Sequence, residues 1–139
     1  MARLQILSAW AGTAGLIVAG LAAAPAAAAA TPGDLLSGYR VAAGSAPAAP
    51  ERGQQLFTAT HGREWSCASC HGSAPTQAGR HASTGKPIGA LAPAFNPERF
   101  TDPVKVEKWF RRNCGDVLGR ACSAAEQGDV IAYLRSLSK

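Results

Sequence analysis

The sequence predicts an all-α domain, and three observations carry that expectation. Apolar residues recur at helical spacing in segments that open on capping residues or proline. No segment alternates apolar and polar residues as a half-buried strand does. No heptad pattern and no repeat of about 20 to 50 residues points to a coiled coil or a solenoid.

The elements follow in chain order. Thr31-Pro32 predicts a helix start with proline at the first helical position, and Leu35, Leu36 and Tyr39 give that helix one apolar face before Gly44. A Pro and Ala linker follows, and Pro50 opens a second short helix through Glu51-Arg52-Gly53-Gln54-Gln55-Leu56-Phe57, ending in the polar run before Cys67. Residues 73–100 hold Pro75, Pro87, Pro93 and Pro97 with Gly79, Gly85 and Gly89, which predicts a structured loop in place of regular elements. Asp102-Pro103 is an N-cap followed by Pro at N1; Val104, Val106, Trp109 and Phe110 carry that helix to about Arg112. Ser123-Ala124-Ala125-Glu126 is a capping box, and Val130, Ile131, Leu134 and Leu137 extend the last helix toward the C-terminus.

The N-terminus has a different composition. Arg3, the apolar stretch from Leu4 to Leu21 and the small residues Ala26 to Ala30 predict a secretory signal over residues 1–30, cleaved before Thr31. A membrane anchor is the rival, but the glycines and alanines make it a poor span, so no stable membrane insertion is expected. Residues 31–139 then form one domain, too small for a large apolar core of its own. Losing Arg3 takes the formal charge of the 139-residue chain from +5 to +4. That modest positive charge suits an acidic protein partner or a merely soluble surface; no basic stripe with aromatics indicates nucleic acid.

Cys67-Ala68-Ser69-Cys70-His71 carries the chemistry. C-x-x-C-H is the attachment pattern for c-type haem: two thiols add to the vinyl groups, and the histidine becomes the proximal iron ligand. A zinc knuckle or a thioredoxin-like dithiol would need a second C-x-x-C or a βαβ context, and neither is present. A covalent haem would also supply the missing apolar centre. The sequence contains no Met beyond Met1, so the thioether that completes many electron-carrying cytochromes cannot be the sixth ligand. His61, His81 and Lys86 are rival candidates for that position.

Gly53 and Phe57 before the haem motif, with Tyr133-Leu134 on the last helix, resemble the crossing helices of class I cytochromes c. More specifically, Thr84-Gly85-Lys86, Leu91-Ala92-Pro93, Asn96 through Asp102, Val106 through Trp109, Arg112-Asn113-Cys114 and Gly119 through Cys122 resemble the sphaeroides haem protein family of high-spin cytochromes c. The resemblance covers essentially the whole chain after the signal. It implies an exported, all-helical protein with one covalent haem; the signal over residues 1–30 predicts the periplasm, and a monomer is expected. It further implies Asn113 as a sixth ligand in the ferric state, displaced on reduction so that O2, NO or CO can bind, and a disulfide between Cys114 and Cys122. It implies a redox partner protein, a dihaem cytochrome c. The segment Arg80-His81-Ala82-Ser83 is longer than the family pattern by about one residue and brings in an additional histidine. The alternative is a low-spin electron carrier with His71 and His81 as its two ligands. Distal acid-base groups for a peroxidase or reductase cannot be placed, so the sequence supplies no basis for an enzymatic activity.

Overall fold

The computed structural model describes residues 28–139, so the signal expected over residues 1–30 lies almost entirely outside the described part. Five helices and one minimal ribbon make up that part: α1 Pro32–Ala42, α2 Pro50–Thr58, α3 Cys67–His71, β1 Gly79–Arg80, β2 Pro87–Ile88, α4 Pro103–Leu118 and α5 Ala124–Ser136. Among the described residues no helix is long and apolar enough to cross a membrane.

Local chemistry fixes most boundaries. Thr31 and Asp34 close a capping box on α1, and Ser123 and Glu126 close one on α5. Asp102 accepts from the Lys105 N–H at the start of α4, and Gly119 ends that helix in left-handed geometry at φ 72°. The sequence predicts the end of α4 near Arg112; the helix continues to Leu118. Asn113 and Gly115 look like breakers in sequence, but Val106, Phe110, Cys114 and Val117 line one face and hold the last turns down. Two further elements were not expected from sequence. Ser66 and Ser69 form a capping box on the one-turn helix α3, and β1 pairs antiparallel with β2 inside the predicted loop.

The core is the crossing of α2 and α5. Phe57, Val130, Tyr133 and Leu134 form its buried cluster, and Leu56, Cys67, Ala68, Leu91, Phe100 and Phe110 pack against it. Gly53 permits the crossing, because a Cβ there would lie 2.0 Å from the Asp129 carbonyl oxygen. Asp129, 6% exposed, fixes the same crossing by polar means. Its carboxylate accepts from Arg52 Nε and Nη2 at 2.7 and 2.8 Å and from the Ala49 N–H at 2.7 Å. Ala49 is the N-cap position of α2 and has no capping side chain, so α5 supplies the missing acceptor. α1 packs on α5 and reaches α4 through Tyr39, whose hydroxyl donates to Glu107 at 3.1 Å and whose ring meets Phe110 edge-on.

Candidate haem-attachment site

One helical turn puts Cys67, Cys70 and His71 on a common side of α3, with Ala68 and Ser69 turned away. Ser66 bonds the Ser69 N–H at 3.2 Å, Ser69 bonds the Ser66 N–H at 3.0 Å, and Gly72 ends the turn at φ 77°. Cys67 and Ala68 rest on the core cluster, and the His71 ring lies 6.2 Å from Phe57. Burial, then the positive charge of Arg99, lowers the His71 pKa to about 4, so its imidazole is neutral near pH 7. Burial pushes the Cys67 thiol up to about 11.

These groups fit one covalent haem. His71 Nδ1 is buried without a hydrogen-bond partner, and a neutral imidazole is the form that binds iron. A protonated Cys67 suits addition of S–H across a vinyl bond and is the wrong state for a redox dithiol, which works through a lowered thiol pKa. Among the described residues no three or more His, Cys, Asp or Glu side chains are grouped so that they could hold a metal ion.

The loop after His71 is bonded layer upon layer against α3. The buried Pro75 carbonyl accepts from the Leu91 and Ala92 N–H groups at 3.0 and 3.1 Å. On the far side of that segment, the Ala90 carbonyl accepts from Arg99 Nε at 2.9 Å and Asn96 Nδ2 at 3.2 Å, and Gly89 accepts from Arg99 Nη2 at 2.9 Å. Gly79 passes so close to α3 that a Cβ would lie 2.0 Å from the Cys70 carbonyl oxygen. Tyr133 on α5 donates its hydroxyl to the Ser73 carbonyl and ties this loop to the core. Arg99, Pro75 and Gly79 were missed as site residues; proline and glycine density marked the loop, but nothing local in sequence said which residues face the attachment turn.

Asn113 lies mid-helix on α4, so the C-cap role open to an asparagine near a helix end does not apply. It shares a face with Val106, Phe110 and Val117 at an exposed edge, and among the described residues no protein group bonds its amide. Its neighbour Cys114 is buried and disulfide-bonded to Cys122, in the link to α5. The attachment turn and the Asn113 helix converge on one core cluster, through Cys67 and Ala68 on one side and Phe110 on the other. Trp109 is 44% exposed at the same edge, while Trp65 is half-buried.

The rival ligands sit elsewhere. His81 follows β1, its Nδ1 is 3.1 Å from the Ser83 hydroxyl, and the next N–H, from Ala82, reaches Cys70 Sγ at 3.2 Å. His81 is thereby held beside the attachment turn itself. His61 shares a 2.8 Å hydrogen bond between Nε2 and the Leu56 carbonyl, and Lys86 is exposed just before β2.

A family model described as a domain of unknown function, DUF1924, matches residues 43–134. The cytochrome c-type protein SHP of Cereibacter sphaeroides is 48% identical over 124 residues, 86% of this chain and 95% of that protein. A solved structure of oxidised SHP, described as an oxygen-binding cytochrome c, superposes with a TM-score of 0.72 at 47% identity, covering 77% of this chain and 97% of that one. Cytochrome c'' of Methylophilus methylotrophus is similar too. Its solution structure, concerned with haem-ligand detachment, has a TM-score of 0.66 at 38% identity over 78% of this chain and 94% of that one.

Proposed function

Because this chain belongs to the sphaeroides haem protein family and is a monohaem c-type cytochrome, we propose that it is a periplasmic gas-binding haem protein whose Asn113 ligand gives way on reduction. Haem c supplies one-electron redox chemistry and an iron able to take O2, NO or CO. Cys67 and Cys70 hold it by thioether bonds, and His71 provides the proximal imidazole. Asn113 offers an amide oxygen, a hard, neutral, weak-field donor that favours ferric over ferrous iron. It therefore lets go on reduction, leaving the distal side open.

The observation that carries this reading is Asn113 itself. It stands at the exposed edge of the α4 face that carries Phe110 and Val117, with its amide free of protein partners among the described residues, next to a disulfide that limits how far its backbone can travel. The Ala82 N–H bond to Cys70 Sγ keeps the adjacent His81 at the attachment turn, which supports Asn113 over His81 as the residue that would complete the iron. Electrons come from a redox partner protein, by family analogy a dihaem cytochrome c. The disulfide suits an exported chain that has shed residues 1–30, because such bonds persist in oxidising compartments.

The test is the pair Asn113→Ala and His81→Ala, read in ferric and ferrous absorption spectra of the holoproteins with and without carbon monoxide. Asn113→Ala is expected to change the ferric spectrum and His81→Ala to leave it intact, with every ferrous form high-spin and binding carbon monoxide. A ferrous wild type that stays low-spin and ignores carbon monoxide refutes the proposal.

A further inference from the structure

The outer face of α4 carries four cations, as many as the net charge of the described chain, with Asp116 beside them near the helix end. Lys105, Lys108, Arg111 and Arg112 point away from the buried row of Val106, Cys114 and Val117, and none of the four belongs to a salt bridge among the described residues. With these four and Arg3 set aside, nine basic residues remain against nine acidic ones. Glu107, the one acid interleaved with them, is turned to the other side, where it accepts from Tyr39 and Gln127. Apolar surface accompanies the charge: Val104 is 81% exposed, and Trp109 is flanked by Lys108 Nζ at 5.9 Å and Arg112 Cζ at 5.7 Å from its ring centroid.

Stability does not account for this arrangement. Lys105 and Lys108 stand three residues apart, as do Lys108 and Arg111, and like charges at that spacing repel. The place of Lys105 in the first turn of α4, which holds no acid, also opposes the helix dipole. A solvated surface would be served as well by scattered charges, as it is elsewhere on this chain.

We propose that this face of α4 is the docking surface for a small acidic electron-transfer protein. The four cations steer the partner and exclude basic competitors, and Trp109 with Val104 gives it apolar contact once seated. The helix that meets the partner also carries Asn113, on its other side, so the partner contacts the same rigid element that presents the proposed ligand. This assignment rests on the proposed function, and the experiment separates the two.

The probe is reduced plant-type [2Fe–2S] ferredoxin, an acidic one-electron donor: one electron leaves its cluster and converts the ferric holoprotein to ferrous. Second-order rates are measured by stopped flow against ionic strength for the wild type, for Lys105→Gln/Lys108→Gln/Arg112→Gln, and for the control Arg40→Gln/Arg135→Gln/Lys139→Gln, which removes equal charge elsewhere. At low ionic strength the α4 variant is expected to lose at least about tenfold in rate and most of its salt dependence, the control staying within about twofold. Unchanged dithionite-reduced spectra and thermal midpoints show that each variant is folded and loaded; failure to load haem or bind carbon monoxide in the wild type would instead count against the proposed function. Equal slowing of both variants, or a wild-type rate indifferent to salt, overturns the docking surface. So does an α4 variant with normal ferredoxin rates that loses binding only to anionic phosphatidylglycerol vesicles or to duplex DNA.

Discussion

Replacing Gly53 with alanine tests the geometry on which the whole domain closes. A methyl group there would lie 2.0 Å from the Asp129 carbonyl oxygen and 2.4 Å from its carbon, against ordinary contacts of 3.4–4 Å. The atoms in the way are backbone, so no side chain can rotate clear and α2 must back away from α5 by more than an ångström. Overpacking of this kind costs roughly 3 kcal/mol, the upper end of its usual range. The same displacement stretches the bonds from Arg52 and the Ala49 N–H to Asp129. Loosening that half-exposed anchor costs about 1 kcal/mol more. Alanine returns about 1 kcal/mol through its higher helix propensity, leaving a net loss of roughly 3 kcal/mol. For a domain of this size that lowers the thermal midpoint by about 12–24 °C. Holoprotein unfolding followed by far-ultraviolet circular dichroism measures it. Gly38→Ala on α1, where a methyl group meets nothing within 4 Å, is the control and should gain about 0.5–1 kcal/mol. A Gly53→Ala loss below about 1 kcal/mol would refute the close-crossing account.

Two further outcomes follow from features outside the crossing. Cys114→Ser/Cys122→Ser opens a loop whose ends are 8 residues apart. Urea titration should show it less stable by about 2.5 kcal/mol in the chain-entropy model, and a loss near zero would mean that the disulfide constrains little. Glu126 has its pKa lowered to about 2, chiefly by hydrogen bonds from Arg120 and assisted by Ser123. A depressed carboxyl pKa adds stability that is present above the ordinary value of 4.5 and disappears as pH falls toward 2. Glu126→Gln should therefore be less stable than the wild type at pH 7 and converge with it near pH 2; a stability difference independent of pH would assign Glu126 a role other than charge.

Much of this was legible in sequence where chemistry is local. The starts of α1, α2, α4 and α5 carry Pro, Asp or Ser signals, and C-x-x-C-H marks the proposed attachment turn without help from the fold. The Gly53 and Tyr133 pair was also readable, through family resemblance. What escaped is non-local. The last turns of α4 depend on Cys114 and Val117 finding a core, which outweighs the breaking tendency of Asn113 and Gly115. Pro75, Gly79 and Arg99 act through backbone carbonyls of distant residues, and a carbonyl has no signature in sequence.

The capping of α2 by Asp129 has a consequence in time. A nine-residue helix is too short to persist alone, and here its start is completed by a carboxylate about eighty positions further along the chain. Cys67 and Cys70 lie between the two partners. The start of the N-terminal half therefore gains its capping partner only once the C-terminal helix has turned back onto it, and the two thiols lie on the segment between those partners. The closure of the domain around the proposed attachment turn thus depends on its last helix.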